Sequence, residues 1–357
     1  MSDSPSPQTL FTGTQPVSPA QRFDEARLAA WMQDHVPGFR GPLSVAQFKG
    51  GQSNPTFLLE AGGHRYVLRR KPMGELLPSA HAVDREFRVI RALAATDVPV
   101  AKAHALCEDP SVIGSAFYVM DHVEGRIFWD PTLPGMTPAE RGALFDELNR
   151  VLAALHQVNP AAVGLADFGR PGAYLERQVA RWTRQYKAAE TEPIEAADRL
   201  IDWLPQHMPP EGETRIVHGD YRIDNVIFHP TEPRILAVLD WELSTLGDPL
   251  VDFAYHCMGW RMPPVSRGLA GVNIAALGIP SEAHYLASYL VRTGRTSAVP
   301  AGDWNYYLVF NMFRLVGILQ GIAKRAQLGN ASNASAVETG KRARPLAEQA
   351  WALAQSL

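Results

Sequence analysis

The pattern of apolar and polar positions divides the chain into a strand-rich first part and a helix-rich remainder. Alternating apolar runs at residues 56–60 and 66–71, joined by Gly62-Gly63, predict a β-hairpin, and residues 116–120 predict another strand. From about residue 137 onward, apolar positions recur at the spacing of amphipathic helices. The sequence therefore predicts an α+β fold in which a small β-rich lobe precedes a larger helical lobe.

Capping residues set the expected helix boundaries. Residues 137–140 (TPAE) and 18–21 (SPAQ) both have the spacing of a capping box, with proline at the first helical position. Residues 84–93 form an amphipathic pattern with Phe87 and Ile90 on the inward face. Further helices are expected over residues 174–189, 193–204, 249–259, 281–293 and 303–328.

Two segments need a separate interpretation. Residues 1–17 are rich in Ser, Pro, Thr and Gln, lack the basic start and apolar run of a signal peptide, and are expected to form a disordered tail. The longest apolar tract, residues 306–323, is interrupted by Asn311, Arg314 and Gln320. Its helical period favours a buried core helix over a membrane span.

Three polar residues in the second half of the chain have the types and spacing that magnesium-assisted phosphoryl transfer requires. Asp220 and Asn225 lie five residues apart between short strand-like runs, and Asp240 follows a third such run at residues 235–239. Phosphoryl transfer needs a carboxylate at the acceptor hydroxyl and oxygen ligands that hold magnesium against the phosphates. Asp and Asn are also common in ordinary turns, but this combination in this order favours a kinase.

The same residues carry a resemblance to a known family. Residues 218–225 (HGDYRIDN), together with Asp240, resemble the catalytic and metal-binding loops of the aminoglycoside phosphotransferase and choline kinase group, which is related to protein kinases. Residues 240–260 are similar to the kinase-like domain fused to acyl-CoA dehydrogenase family members ten and eleven and to its free-standing bacterial relatives. The similarity extends over about residues 24–330.

The resemblance implies a protein kinase-like two-lobe fold and assigns roles within it. Asp220 would be the catalytic base, Asn225 and Asp240 would bind Mg²⁺, and His218 would orient the loop. Asp248 and Asp252 would be structural. The implied organisation is an N-lobe at residues 18–120, a hinge at 121–125 and a C-lobe at 126–357.

The nucleotide is expected to bind to the N-lobe. The loop at residues 48–54 precedes the hairpin, and its backbone amides can lie over phosphates because glycine permits close approach. A Gly-Gly pair is also typical of a plain turn, and this loop departs from the GxGxxG pattern of protein kinases. The residues expected to contact the nucleotide here are Gly50, Gly51, Ser53 and Asn54.

A cation on the next strand is expected to contact the α- and β-phosphates. The family places such a cation on the third strand and holds it with a glutamate from the following helix. Arg69 and Glu86 occupy those positions, although the family usually has lysine there. Arg70 and Lys71 are adjacent alternatives, but alternation places Arg69 on the same strand face as Val67.

The segment after the last predicted N-lobe strand resembles the hinge. Backbone groups of Asp121 and Val123 would bond the adenine edge, and Met120 would lie behind the ring. A core strand that ends in an exposed turn would show the same residues. The expected cofactors are therefore ATP and Mg²⁺, while a preference between ATP and GTP stays open.

Composition narrows the class of partner. The net charge of −3 and the pI of about 6.4 give no electrostatic signal for binding to nucleic acid or a membrane surface. The two cysteines, Cys107 and Cys257, are far apart in sequence, which favours a reducing cytoplasm over a disulfide framework. The expected partner is a small hydroxylated molecule, and the chain could be a monomer or a homodimer.

The acceptor is the least determined feature. The resemblance implies a hydroxy acid or a hydroxyacyl-CoA, and aromatic and arginine residues in the helical lobe would suit an apolar chain with an anionic end. The same aromatic residues could simply form the core. An aminoglycoside-type antibiotic kinase and a catalytically weak nucleotide-binding pseudokinase are the alternatives. The residues concerned are Trp241, Trp260, Arg261, Met262, Trp304, Tyr306, Tyr307 and Arg314.

Overall fold

Residues that are distant in sequence come together in two structural units. The computed structural model describes residues 12–49, 54–73, 82–328 and 336–357. The first unit comprises residues up to Phe168 with Arg222–Ser244 and Asn273–Ser281, and the second comprises Gly169–Tyr221, Thr245–Val272 and Glu282–Leu357. The first unit therefore extends beyond the expected hinge at 121–125 and includes both residues predicted to bind the metal.

The first unit contains a six-stranded sheet with the strand order β1-β2-β3-β4-β6-β5, in which every neighbouring pair is antiparallel. The predicted hairpin is β3–β4, and its two-residue turn has positive φ angles at both Gly62 and Gly63. The strands are β1 Thr14–Gln15, β2 Leu43–Phe48, β3 Thr56–Ala61, β4 His64–Arg70, β5 Ala103–Cys107 and β6 Phe117–Asp121.

Alternation gives the sheet two different faces. One face packs with helix α1 (Glu25–His35) in a core that includes Leu28, Leu68 and Phe117. Helix α2 (Val83–Leu93) packs against β5 and β6. The ring of its Phe87 lies 6.1 Å from that of Tyr118, so the opposite face of β6 meets α2. Neighbouring residues on β4 and β6 consequently have different surroundings.

The rest of the first unit carries the segments that follow the sheet. The capping box predicted at residues 137–140 is present, because the side chains of Thr137 and Glu140 each accept from the other residue's backbone N–H. The elements are α3 Pro110–Ile113, α4 Pro138–Gln157, α8 Ile274–Leu277 and the antiparallel pair β8 Val226–Phe228 and β9 Ile235–Val238. Single 3-10 turns at Ile223–Asn225 and Trp241–Leu243 follow Arg222 and Asp240.

Two expectations for the N-terminal region differ from the structure where it is described, and residues 1–11 of the expected disordered tail lie outside the described residues. Residues Pro19–Gln21 form a 3-10 turn without a side-chain cap, and α1 begins later, where Asp24 accepts from the N–H of Arg27. Within the segment expected to be disordered, Thr14–Gln15 forms β1 and pairs with β2. Pairing with a sheet edge depends on a distant strand, so local composition does not reveal it.

The second unit is helical, with a small antiparallel pair formed by β7 Arg215–Val217 and β10 Thr245–Gly247. Helix α10 (Ala301–Gln327) packs against other helices of this unit. They include α5 (Tyr174–Ala189), α7 (Pro249–Cys257) and α12 (Ala343–Ala354). Its length and composition would suffice for a membrane span, but 72% of its most apolar window is buried inside the protein, as expected for a core helix. The helices are α5 Tyr174–Ala189, α6 Glu195–Trp203, α7 Pro249–Cys257, α9 Glu282–Arg292, α10 Ala301–Gln327, α11 Ala336–Gly340 and α12 Ala343–Ala354.

Candidate functional site

Arg69 lies at the centre of a network of carboxylates in the first unit. Its Nε is 2.7 Å from Oε2 of Glu86, and its Nη2 contacts Oδ1 of Asp240. Nη2 also lies 3.6 Å from Oε2 of Glu242. The Arg69 side chain is 11% exposed and that of Glu86 is 1% exposed. The buried charges of Arg69 and Glu86 therefore compensate each other, as buried ions require.

Two neutral side chains complete the hydrogen bonding of Glu86. Nδ2 of Asn54 donates to Oε1 of Glu86 over 2.8 Å and approaches Oε2 of Glu242 at 3.4 Å. The hydroxyl of Tyr118 donates to Oε2 of Glu86 over 3.1 Å. The Asn54 side chain is fully buried and supports this network, while the expected contact of its backbone amide with the nucleotide stays a prediction.

Burial and the neighbouring charges shift the pKa values of Arg69 and Glu86. Burial alone would lower the pKa of Arg69, but the carboxylates of Glu86 and Asp240 outweigh burial and raise it. Burial raises the pKa of Glu86, and the positive charge of Arg69 opposes that rise. The guanidinium therefore stays charged at neutral pH and can contact an anionic ligand.

A cavity of about 400 Å³ opens beside Arg69 within the first unit, a volume typical of a small-molecule site. It brings together residues from β4, β6 and the segments around β8 and β9. The predicted site residues that line it are Arg69, Met120, Asp121, Val123, Asn225 and Asp240. Gly50, Gly51 and Ser53 lie outside the described residues.

The expected hinge forms one wall of this cavity. The N–H of Asp121 donates to the carbonyl oxygen of Lys102 over 2.9 Å, and its carboxylate lies 2.6 Å from Nε2 of His104. Its carbonyl oxygen is therefore the group that Asp121 can offer to a nucleobase. At Gly125 a Cβ atom would lie 2.2 Å from the carbonyl oxygen of Phe228, so the end of this segment requires glycine.

The two predicted metal residues are held together by backbone contacts. Leu239, which immediately precedes Asp240, donates its N–H to the carbonyl oxygen of Asn225 over 2.8 Å. Asp240 has φ 62° and ψ 60°, a left-handed conformation that costs a non-glycine residue about 1 kcal/mol. Amide and carboxylate oxygens are ligands that Mg²⁺ accepts, so the donor set fits the expected ion.

Asp220 lies in the second unit, on a loop whose backbone is tied down. The carboxylate of Asp252 accepts from the N–H groups of His218 and Gly219 at 2.7 and 2.8 Å. The N–H of Asp220 donates to Nδ1 of His218 over 3.1 Å, and His218 is fully buried. These contacts fix the backbone of the loop that carries Asp220, and the orienting role of His218 stays a prediction.

Asp248 occupies the N-cap of α7. Its Oδ1 accepts from the N–H of Leu250 over 2.8 Å, and Pro249 occupies the first helical position. Burial raises the pKa of Asp248, although the N–H of Leu250 opposes the rise. The side chain is therefore a structural cap of α7.

Most of the aromatic residues considered for an acceptor site belong to the core of the second unit. Tyr306 is 1% exposed and donates its hydroxyl to the carbonyl oxygen of Leu204, and Nε1 of Trp304 donates to Glu282. Arg261 forms an ion pair with the same Glu282. Trp260, Met262 and Tyr307 are also buried. These side chains therefore give no support for an apolar acceptor site.

Three residues of these networks were not among the predicted site residues. Glu242 lies two residues after Asp240, and Tyr118 shares a strand face with Met120, so spacing and alternation could have indicated both. Tyr255, whose hydroxyl donates to Oδ1 of Asp220, is separated from it by 35 residues. No local signal links that pair.

The buried aromatic residue Trp241 belongs to the first unit instead. It is 1% exposed, lines the cavity, and donates its Nε1–H to the carbonyl oxygen of Val238 over 3.0 Å. Its role is therefore to form part of the cavity wall.

Comparisons with known proteins agree with this arrangement. Residues 44–286 match the model of the phosphotransferase enzyme family. The chain is 48% identical over 314 residues to acyl-CoA dehydrogenase family member 10 from Mus musculus, and 42% identical over 341 residues to family member 11 from Homo sapiens. These alignments cover 87% and 93% of this chain but only 29% and 43% of the relatives, so the chain spans less than half of their length.

A solved structure shows similarity over nearly the whole chain. A protein from Ralstonia eutropha, described as a candidate aminoglycoside phosphotransferase, is 60% identical, with a TM-score of 0.86 and coverage of 94% of this chain and 99% of that one. The resemblance drawn from residues 218–225 and 240–260 is thereby confirmed, as is the α+β kinase-like fold.

Proposed function

Because the chain belongs to the phosphotransferase enzyme family, we propose that it transfers the γ-phosphoryl group of ATP to the hydroxyl of a small molecule, with Mg²⁺ as the cofactor. The observation that carries this proposal is the cavity in the first unit, where Arg69 and Asp240 stand beside the residues that resemble a hinge.

The nucleotide part of the proposal follows from the lining of that cavity. Adenine would contact Met120, donate a hydrogen bond to the carbonyl oxygen of Asp121 and form a hydrogen bond with the backbone of Val123. Arg69 would bind the non-transferred phosphates, because its planar guanidinium can contact two phosphate oxygens at once. Glu86 would hold Arg69 in that orientation through the 2.7 Å contact.

Asn225 and Asp240 would hold Mg²⁺, whose chemistry is to neutralise phosphate charge during transfer. Asp240 contacts Arg69 in the present structure. Binding of the nucleotide would supply phosphates to Arg69 and thereby release this carboxylate. Asp220 would orient the acceptor hydroxyl and accept its proton.

For the acceptor we propose a hydroxy acid or hydroxyacyl-CoA. The support is the 48% identity to a protein of the acyl-CoA dehydrogenase family over 87% of this chain. An aminoglycoside acceptor is the second candidate, because the similar protein of known structure from Ralstonia eutropha is described as a candidate aminoglycoside phosphotransferase. A polycationic sugar needs acidic side chains at its binding site, whereas an acyl-CoA carries phosphates and needs basic side chains there.

The test is a screen of ADP formation with Mg²⁺ and ATP across hydroxyacyl-CoAs, free hydroxy acids, choline-like amines and aminoglycosides. Stimulation by a hydroxyacyl-CoA or hydroxy acid, abolished by Asp220→Asn while ATP binding is retained, is the expected result. Stimulation by aminoglycosides alone would favour the second candidate, an aminoglycoside acceptor. ATP binding without turnover on any acceptor would point instead to a nucleotide-binding pseudokinase.

A further inference from the structure

We propose that Tyr255 and Arg314 are positioning residues that fix the orientation in which the Asp220 carboxylate meets the acceptor hydroxyl. The inference rests on the role of Asp220 in the proposed function. All three residues belong to the second unit, with Tyr255 on α7 and Arg314 on α10. Both helices are packed in its core.

Tyr255 acts on the side chain of Asp220. Its hydroxyl donates a hydrogen bond to Oδ1 of that carboxylate. Tyr255 is 6% exposed, and the preceding residues Phe253 and Ala254 are fully buried, so the donor is held on a rigid helix. A charge-assisted hydrogen bond from a fixed donor restrains rotation of the carboxylate. That rotation determines which oxygen lone pair faces the acceptor's proton.

Arg314 supports both the tyrosine and the loop. Its Nη2 donates to the carbonyl oxygen of Gly219 over 2.5 Å, and its guanidinium carbon lies 4.8 Å from the centroid of the Tyr255 ring. Arg314 is 7% exposed, so these contacts are weakly screened by water. A cation over a phenol ring withdraws electron density and makes the hydroxyl a better donor.

The backbone of the loop has independent support. Asp252 binds the N–H groups of His218 and Gly219, whereas the hydroxyl of Tyr255 reaches the side chain of Asp220. Removal of that hydroxyl should therefore leave the loop folded and remove a restraint on the carboxylate. A purely structural tyrosine would instead affect stability and leave turnover per folded molecule unchanged.

Tyr255→Phe tests the inference, because it removes the hydroxyl and keeps the ring that Arg314 covers. With the acceptor of highest turnover in the screen, kcat is expected to fall about 10- to 100-fold, the effect of losing one hydrogen bond to a charged group. The KM for ATP should stay unchanged. Arg314→Met should lower kcat by a smaller factor, and Arg314→Lys should restore part of it.

Tyr306→Phe is the matched control. Tyr306 is also buried in the same unit, but its hydroxyl donates to the backbone of Leu204, so loss of that hydroxyl should lower the melting temperature and leave kcat unchanged. In an Asp220→Ala background, Tyr255→Phe should cause no further loss of the residual turnover. An equal loss in that background would show a structural role and overturn the inference.

The outcomes also separate this inference from the proposed function. Wild-type kcat in Tyr255→Phe, together with a strongly reduced kcat in Asp220→Ala, would overturn the positioning role and leave the kinase assignment intact. Wild-type kcat in Asp220→Ala would overturn both.

Discussion

The substitution Glu86→Gln examines the charged network around Arg69. It keeps the size of the side chain and removes its charge at a position that is 1% exposed. Glu86 accepts hydrogen bonds from the hydroxyl of Tyr118 and from Nδ2 of Asn54, and it forms an ion pair with Arg69. Glutamine offers one oxygen and adds an N–H group, so at least one of these donors loses its acceptor.

The expected loss of unfolding free energy is about 2 to 4 kcal/mol. A hydrogen bond to a charged group contributes about 1.5 to 3 kcal/mol, and removing one partner of a buried ion pair costs about 3 to 5 kcal/mol. Asp240 and Glu242 remain beside Arg69 and reduce the second cost. Urea denaturation measures the difference from the wild-type protein. The KM for ATP should rise about tenfold, which corresponds to a loss of about 1.4 kcal/mol of phosphate binding by Arg69.

Glu232→Gln provides the matched control. It makes the same chemical change in an ion pair with Arg234 in the same unit, but both side chains are 55% exposed and neither lines the cavity. The cost should be below about 1 kcal/mol, because solvent screens an exposed pair. If the two variants show the same stability and the same KM for ATP, the buried network does not hold Arg69 in place.

Three further outcomes are expected. Arg69→Lys should raise the KM for ATP. Arg70→Lys should lower the melting temperature without changing that KM, because Arg70 is fully buried and donates to Gln21. The reverse pattern would show that Arg70, and not Arg69, contacts the nucleotide. Gly125→Ala should weaken ATP binding measured by calorimetry, because the added Cβ would lie 2.2 Å from the carbonyl oxygen of Phe228 in β8. Gly302→Ala is the control, since open space surrounds that glycine. Equal ATP binding by the two variants would contradict the importance of the close approach at Gly125. Burial lowers the pKa of His256 to about 4 from 6.5, so the unfolded state binds more protons between these values. Stability should then fall by up to about 3 kcal/mol as pH drops from 6.5 to 4, and a stability profile of His256→Gln as steep as that of the wild type would refute this cause.

Local patterns predicted the parts of the fold whose signals lie within a few residues. The β3–β4 hairpin followed from alternation around Gly62-Gly63, and α5 was expected over the residues where it occurs. Alternation also separated Arg69 from Arg70. Arg69 lines the cavity, whereas Arg70 lies on the opposite face and donates to Gln21. Adjacent strand residues point to opposite faces, so this distinction requires no knowledge of the tertiary fold.

Contacts between distant segments could not be predicted in the same way. Strand β1 forms by pairing with the edge of β2, about thirty residues further along the chain. The hydrogen bond from the Asn54 side chain to Glu86 could not be predicted from its loop, because it depends on the packing of α2. The aromatic residues of α10 could not be separated into core and site positions, since helical periodicity alone does not show which surface a helix buries.

Product analysis tests the proposed reaction most directly. The protein is incubated with Mg²⁺, ATP labelled in the γ-phosphoryl group and, in separate reactions, a hydroxyacyl-CoA or another acceptor of the screen. Each acceptor is then examined by mass spectrometry. We expect labelled phosphoryl groups on the acceptor hydroxyl with the wild-type protein and none with Asp220→Asn. Unlabelled acceptors of every class in the screen, or equal labelling by Asp220→Asn, would contradict an Asp220-dependent phosphotransferase.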